Sequence, residues 1–385
     1  MRARTPFLLL LTLLLAAPAT AQRPDRPRRG DSSGGGERAG DGSGAKQDAK
    51  KGEMKSYDEV ITEDFTSDPG LFLVHRSDDK LYFEIPQAAL GKDMLWVTQV
   101  EKTQSGFGYG GTSAGDRVVR WELRGDKVLL RDVKYQIRGD ESDSVRHSVE
   151  ASSMLPIIQA FDVEAWGKDQ RAVIEVTGLF QDDLPEFSAK RQLNGTSVDK
   201  GRTFIEELKS FPNNIETKVL MTYKLSSERP TTGSFPRGPR TGPRRDPSQG
   251  QVTALIHHSM VQLPEEPMTP RERDDRVGFF GVSFEEYDAA EHEVETVRYI
   301  SRWRLEKKDP AAEVSDPVQP IVFHVGRGVP AKWRPYVHQG IEMWQPVFAA
   351  AGVSHAILAK GAPSPQEAPG WVAEDARYSS TLWLP

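Results

Sequence analysis

Hydrophobic and polar residues alternate with a period of two through most of the chain after Tyr57. Val119 and Trp121 fall on one side of such a run, and Arg120 and Glu122 fall on the other. This alternation, interrupted by glycine, proline and charged turns, is typical of half-buried β-strands. Strands are predicted at Leu71–Arg76, Leu81–Ile85, Met94–Val100, Arg117–Arg124, Lys127–Ile137, Gln159–Trp166, Ala172–Val176, Lys218–Leu225, Val252–Val261, Val277–Phe284 and Glu295–Leu305. The pattern predicts a mainly β fold of antiparallel sheets, as a sandwich or a half-open barrel.

Local signals add turns and helices to this β pattern. Gly125-Asp126 separates two predicted strands by two residues, and glycine tolerates the positive φ of such hairpin turns. Two short helices are predicted, at Glu186–Gln192 and Thr203–Lys209.

The last segment of the chain has a different pattern. Ile321–Val325 is a predicted strand, and a helix is predicted from Pro335 to Ala351. Its apolar stripe consists of Val337, Ile341, Trp344, Phe348 and Ala351. Pro346 lies inside this helix, so a kink is expected at 342–345. Ala356–Ala359 and Ala376–Leu384 are strand-like, and the order strand, helix, strand favours a parallel crossover.

Composition divides the chain into segments. Residues 1–21 resemble a signal peptide, because a basic start precedes an apolar run of about eleven residues and a small-residue cleavage site. Residues 22–56 are polar and glycine-rich and are predicted to form a disordered linker. A small β segment is predicted at 57–105 and a β-rich domain at 106–310, with a proline-rich mobile loop at 229–250. The segment 320–385 contains the strand-helix-strand pattern.

Charge and cysteine content exclude several functions. The formal net charge is −6, which argues against nucleic acid as the main partner. The chain has no cysteine, which excludes disulfides and thiolate metal sites. Beyond the signal peptide, no run is long and apolar enough to predict a membrane-spanning helix. We therefore expect an exported protein, periplasmic or extracellular.

Histidine spacing gives little support for a metal site. A zinc-peptidase helix carries two histidines four residues apart, with a glutamate directly after the first. His292 is followed by glutamate, but Thr296 occupies the position four residues later. His338 and Glu342 share a helical face yet supply only two ligands, whereas protein zinc sites use at least three.

The remaining histidines and the glycine-rich loop also lack the pattern of a site. His257 and His258 are neighbours in a predicted strand, so they point to opposite faces. His75, His147, His324 and His355 are isolated in the sequence. The loop Gly106–Gly111 lacks the Lys-Ser/Thr ending of a phosphate loop, and Ser113 precedes a strand instead of a helix. We predict no catalytic, cofactor-binding or metal-ligating residue in this chain.

Four stretches of the chain resemble one protein family. They are Asp116–Glu122 with Gly125–Leu130, Pro267–Arg271 with Asp275–Phe280, Ile300–Pro310, and Pro320–Lys360. Their amino-acid sequences are similar to those of bacterial exported zinc-dependent metalloproteases, metzincin-like enzymes that carry N-terminal domains of unknown function. The resemblance implies that 320–385 begins an α/β catalytic domain, with Glu374–Tyr378 and Trp383 like a strand that precedes the His-Glu-x-x-His helix.

The resemblance also implies a cofactor and a substrate. Complete relatives are expected to bind zinc and to hydrolyse peptides or proteins with a zinc-activated water. No residue here matches the zinc ligands or the catalytic glutamate, so we expect a fragment or a truncated gene product that binds no zinc, is inactive by itself, and lacks the C-terminal catalytic segment. Whether the β-rich part is a prosegment or a permanent accessory stays open. The alternative hypothesis is a non-catalytic envelope β-sandwich module that binds peptide or glycan.

Overall fold

The structure is a computed structural model that describes residues 54–78, 80–135, 137–139, 154–225, 250–287 and 294–383. The predicted signal peptide (1–21), the predicted linker up to residue 53 and the predicted mobile loop from 229 to 249 lie outside the described residues.

Strands dominate the part of the chain that the structure describes. In chain order they are β1 (Thr66–Pro69), β2 (Leu73–Arg76), β3 (Leu81–Ile85), β4 (Asp93–Thr103), β5 (Thr112–Arg124), β6 (Lys127–Val133), β7 (Ile137–Gly139), β8 (Ile157–Asp162), β9 (Ala165–Trp166), β10 (Ala172–Glu175), β11 (Gly195–Val198), β12 (Phe204–Ser210), β13 (Asn214–Leu225), β14 (Gln251–Gln262), β15 (Gly281–Tyr287), β16 (Glu295–Ile300), β17 (Ile321–Val325), β18 (Ile357–Gly361) and β19 (Ser379–Thr381). The α-helices are short: α1 (Tyr57–Val60), α2 (Thr177–Gln181), α3 (Lys190–Leu193), α4 (Arg334–Glu342) and α5 (Gln345–Ala350). The prediction of a mainly β chain is confirmed.

The largest sheet has eight strands and curves into a half-barrel. Its order is β11-β13-β14-β4-β5-β6-β8, with β12 also paired to β13, and all these pairs are antiparallel. The β5–β6 turn shows how the sequence specifies this topology, because Arg124 pairs with Lys127 and Gly125 has a φ of 64°. The predicted antiparallel half-open barrel is confirmed. We call this sheet the half-barrel sheet.

One hydrophobic core joins the half-barrel sheet to a five-stranded sheet of order β1-β2-β3-β10-β9. Phe83 on β3 and Trp121 on β5 are both fully buried, and their ring centroids lie 6.0 Å apart. β4 lies between β14 and β5 in the half-barrel sheet. Residues before and after position 105 therefore fold around the same core.

The two helices predicted in the β-rich part are corrected by the structure. The predicted helix Thr203–Lys209 is wrong, because Phe204–Ser210 forms strand β12, which pairs along β13. The tertiary pairing overrides a helical pattern that was only about two turns long. The predicted helix Glu186–Gln192 is reduced to Lys190–Leu193, which ends at Asn194 in the left-handed conformation.

The C-terminal segment forms a separate small sheet of order β18-β17-β19, in which both pairs are parallel. The predicted parallel crossover is confirmed, since α4 and α5 connect β17 to the parallel strand β18. The predicted last strand, Ala376–Leu384, is restricted to Ser379–Thr381, and Glu374–Tyr378 is a loop instead of a strand.

The break in the predicted C-terminal helix is also confirmed. α4 ends at Glu342 and α5 begins at Gln345, with Pro346 in the first turn of α5. The break changes which residues are buried. Ile341 and Phe348 of the predicted stripe are half-buried, but Trp344 is 57% exposed, because it lies between the two helices.

Candidate functional site

Buried and half-buried polar residues collect on the face of the half-barrel sheet that points away from the core. We call them the Glu216 cluster: Gln99 on β4, Asn214 and Glu216 on β13, and His257 and Ser259 on β14. Alternation along each strand puts them on one face, and the strand register makes Glu216 the direct partner of Ser259 and His257 the direct partner of Gln99. Two central members are almost inaccessible, with Glu216 2% exposed and Asn214 0% exposed.

The carboxylate of Glu216 receives hydrogen bonds from three side chains. Ser259 Oγ donates to Oε1 at 2.6 Å, and Asn214 Nδ2 donates to the same oxygen. His257 Nε2 lies 2.5 Å from Oε2, and Gln99 Nε2 donates to His257 Nδ1 at 2.9 Å. Because Nδ1 accepts, Nε2 is the ring nitrogen that carries the proton toward Glu216. A buried carboxylate is stable only when its oxygens are satisfied in this way.

A lysine extends the cluster toward solvent. Lys218 Nζ lies 3.1 Å from Glu374 Oε1, 3.2 Å from Glu207 Oε2 and 3.4 Å from Glu101 Oε2. Burial alone would lower the pKa of Lys218, but the hydrogen bond and the charge of Glu374, together with the other two carboxylates, outweigh burial and raise that pKa. Lys218 therefore stays charged and joins strands β4, β12 and β13 to the C-terminal segment.

Asn214 holds the backbone of the C-terminal segment with both ends of its amide group. Nδ2 donates to the carbonyl oxygen of Glu374 at 2.9 Å, and the backbone N–H of Ala376 donates to Oδ1 at 3.0 Å. Between them, Asp375 is 0% exposed, and its carboxylate accepts from Arg377. Burial would raise the pKa of Asp375, but the hydrogen bonds from Arg377 outweigh it and lower that pKa. We call this contact between Asn214 and residues 374–376 the Asn214 clamp.

The structure separates the two adjacent histidines, as the strand alternation predicts. His257 belongs to the Glu216 cluster, whereas His258 enters the core, where its ring meets Trp96 and Phe180. Trp96 Nε1 donates to His258 Nδ1 at 3.3 Å. Burial lowers the pKa of His258 to about 3, so this ring is neutral at physiological pH.

Three histidines that look isolated in the sequence have side-chain partners in the fold. His75 Nε2 lies 3.3 Å from Glu84 Oε2, and His355 Nδ1 lies 2.8 Å from Asp316 Oδ1. His324 packs against Trp371, with ring centroids 5.5 Å apart. These contacts are not visible in the sequence, because strand pairing and loop docking bring distant residues together. His147 and His292 lie outside the described residues.

The glycine loop, Ser113, His338 and Glu342 are further site candidates in the sequence, and the structure gives each of them an ordinary structural environment. The glycine loop 106–111 joins the antiparallel strands β4 and β5, and Gly106, Gly108 and Gly111 have positive φ. Ser113 is exposed at the start of β5. His338 and Glu342 lie on α4, and Glu342 Oε1 accepts from the Ala359 N–H at 3.5 Å. Within the described ranges, no group of three or more histidine, aspartate or glutamate side chains is arranged to hold a metal ion.

What the site can do chemically follows from its contacts. The Glu216 cluster is saturated with internal hydrogen bonds and is covered by residues 374–376, so it fits a structural docking role. Sequence reasoning missed the clamp, because Asn214 and Glu374 are 160 positions apart. Among the described residues, no helix is long and apolar enough to cross a membrane.

Comparison with known proteins identifies two family matches along the chain. The family described as Domain of unknown function (DUF5117) matches residues 111–308, and the one described as Domain of unknown function (DUF5118) matches residues 54–103. No curated protein and no solved structure matches the chain. Residues 104–110, in the loop between β4 and β5, separate the two matched ranges, and both ranges contribute to the same hydrophobic core.

Proposed function

This chain belongs to the DUF5117 family, and on that premise we propose that it is the N-terminal portion of an exported zinc-dependent metallopeptidase. In this proposal the β-rich region is a permanent scaffold that holds the start of the catalytic domain, which is the segment 320–385. The family carries no assigned function, so the proposal depends on the chain's own residues.

The arrangement of the C-terminal segment supports the catalytic part of the proposal. The stretch from Pro320 to Lys360 resembles the beginning of the catalytic domain in zinc-dependent metalloproteases. It folds as strand β17, helices α4 and α5, and the parallel strand β18, which is the order that such an α/β domain requires. Strand β19 adds a second parallel partner to β17.

The Asn214 clamp is the observation that carries the scaffold part of the proposal. The amide group of Asn214 satisfies one carbonyl and one N–H of residues 374–376, and Lys218 pairs with Glu374 beside it. A prosegment that leaves after activation would have to break these buried contacts and leave the Glu216 cluster open to water. The clamp therefore favours a permanent accessory over a removable prosegment.

The described residues do not fit a zinc ion, so the proposal places the zinc ligands elsewhere. His338 and Glu342 supply two donors on one helical face, and His355 with Asp316 supplies another two. Neither pair has the third protein ligand that a zinc site uses. The proposal assigns zinc binding and water activation to a His-Glu-x-x-His segment like that of complete relatives, and it assigns no step of peptide hydrolysis to the described residues.

The gene itself gives the sharpest test. The proposal expects an open reading frame beyond codon 385 that encodes His-Glu-x-x-His within a helical pattern. A stop codon directly after Pro385 would contradict it and would favour the alternative, a non-catalytic envelope module that binds peptide or glycan. A second test uses residues 22–385 alone with casein, where we expect no hydrolysis. Chelator-sensitive cleavage by this polypeptide would contradict the assignment of zinc to other residues.

A further inference from the structure

A second polar group lies on the outer face of the five-stranded sheet, far along the chain from the Glu216 cluster. Three successive strands each contribute one residue: Ser67 on β1, His75 on β2 and Glu84 on β3. Ser67 is the direct cross-strand partner of His75. His75 is paired with Tyr82, so Glu84 is the next residue of β3 on the same face. We call these three residues the Ser67 cluster.

The side chains of the Ser67 cluster form a continuous chain of hydrogen bonds. Ser67 Oγ lies 2.7 Å from His75 Nδ1, and His75 Nε2 lies 3.3 Å from Glu84 Oε2. The hydroxyl of Tyr57 donates to Glu84 Oε2 at 2.9 Å, and Arg171 Nη1 lies 3.7 Å from Glu84 Oε1. Access decreases along this chain, because Ser67 is exposed while His75 is 1% exposed and Glu84 is 2% exposed.

The backbone near Glu84 leaves room for its carboxylate. A Cβ atom at Gly167 would lie 2.6 Å from Glu84 Oε1, which is closer than such atoms approach one another. Only glycine therefore fits at this position while the carboxylate keeps its place. Tyr57 fixes the second oxygen from helix α1, and burial raises the pKa of Tyr57 to about 12, so its hydroxyl stays a donor.

The ionised carboxylate of Glu84 decides which ring nitrogen of His75 carries the proton that faces it. Burial would raise the pKa of Glu84, but hydrogen bonds from His75 and Tyr57 outweigh it and lower that pKa. An ionised carboxylate can only accept, so Nε2 of His75 carries the proton that points to Glu84. In the tautomer with its proton on Nε2, Nδ1 of His75 is the acceptor, and the Ser67 hydroxyl donates to it. This is the arrangement of a serine beside a general base that a carboxylate orients.

We propose that Ser67 is a nucleophile activated by His75, and that this outer face of the sheet is an acyl-transfer site for small esters. Ser67 Oγ attacks the ester carbonyl carbon while its proton moves to His75 Nδ1. The carbon–oxygen bond to the leaving group then breaks, and the leaving alcohol takes that proton. Water repeats the sequence on the acyl-serine, which releases a carboxylic acid and restores Ser67. Glu84 stabilises the imidazolium ring between the two proton transfers.

A purely structural role for the same hydrogen bonds is the competing explanation, and reactivity separates the two. The full chain is treated with a fluorophosphonate probe, which forms a serine–phosphorus bond and releases fluoride, and the labelled residue is located by mass spectrometry. We expect labelling at Ser67 that Ser67→Ala abolishes and that Glu84→Gln and His75→Gln each slow at least about tenfold. Hydrolysis of p-nitrophenyl acetate should fall in the same variants.

Replacing Ser67 by cysteine tests the same proposal while the buried side chains of His75 and Glu84 stay in place. The chain has no cysteine, so Ser67→Cys introduces a single thiol beside His75. Ser283 is an exposed strand serine on β15, and Ser283→Cys provides the comparison. We expect Ser67→Cys to react with iodoacetamide at least about tenfold faster than Ser283→Cys near neutral pH, because the neighbouring imidazole favours the thiolate. No probe on Ser67, or equal rates for the two thiols, would overturn the proposal.

Discussion

Replacing Asn214 by alanine should release the C-terminal segment from the half-barrel sheet. The side chain makes two hydrogen bonds to the segment, one to the Glu374 carbonyl and one from the Ala376 N–H. Each such bond contributes about 1 kcal/mol net, so opening of residues 371–383 should become easier by about 2 kcal/mol. Since 1.4 kcal/mol corresponds to a factor of ten, that loss equals roughly a 30-fold change in the opening equilibrium.

Hydrogen exchange with mass spectrometry measures this opening directly. In Asn214→Ala we expect the peptide that covers 371–383 to exchange about 30-fold faster, while strands β3 and β5 in the core keep their protection. Asn213→Ala is the matched control, because Asn213 is the adjacent residue, is exposed, and contacts Gln262 only through its backbone carbonyl among its described hydrogen bonds. Unchanged exchange in Asn214→Ala, or equal acceleration in both variants, would refute the reasoning.

Three further predictions concern charge, pH and the shared core. Lys218→Met should lower the free energy of unfolding by about 1–3 kcal/mol, measured by urea denaturation, and adding Glu374→Gln should recover part of that loss, because fewer carboxylates are left without a cation. Burial lowers the pKa of His258 from 6.5 to about 3, so the unfolded chain binds a proton that the folded chain does not. Stability should therefore fall as pH drops from 6.5 toward 3, by at most about 1.4 kcal/mol per pH unit, and His258→Gln should flatten this slope. Trp121→Ala should lower the free energy of unfolding by about 3–5 kcal/mol. Residues 54–103 should still unfold together with 111–308, in a single calorimetric transition. Two separate transitions would contradict the shared core.

Local patterns predicted the strands well, because each strand shows alternation within a few residues. The predicted strand Ile321–Val325 has the same bounds in the structure, and the turn at Gly125 is present with positive φ. The helix break near Pro346 could also be predicted, because proline removes a hydrogen-bond donor within the helix. The segment 203–209 could not, because its short apolar pattern fits either period and its pairing with β13 decided the outcome.

The polar clusters depend on contacts between distant residues, which no local pattern contains. Glu216 and His257 are 41 positions apart, so their contact needs the register of β13 with β14. The pair His75 and Glu84 was within reach of sequence reasoning. Only four residues separate the predicted strands Leu71–Arg76 and Leu81–Ile85. In the structure Arg76 pairs with Leu81, and this register puts His75 and Glu84 on one face.

We propose that the β-rich region remains attached to a zinc-peptidase domain as its scaffold. The most direct measurement is the intact mass and tryptic map of the mature protein purified from its native host. We predict a single exported polypeptide that contains peptides from 57–310 together with a His-Glu-x-x-His segment. A mature zinc peptidase that lacks residues 57–310, or a mature polypeptide without any His-Glu-x-x-His segment, would contradict this proposal.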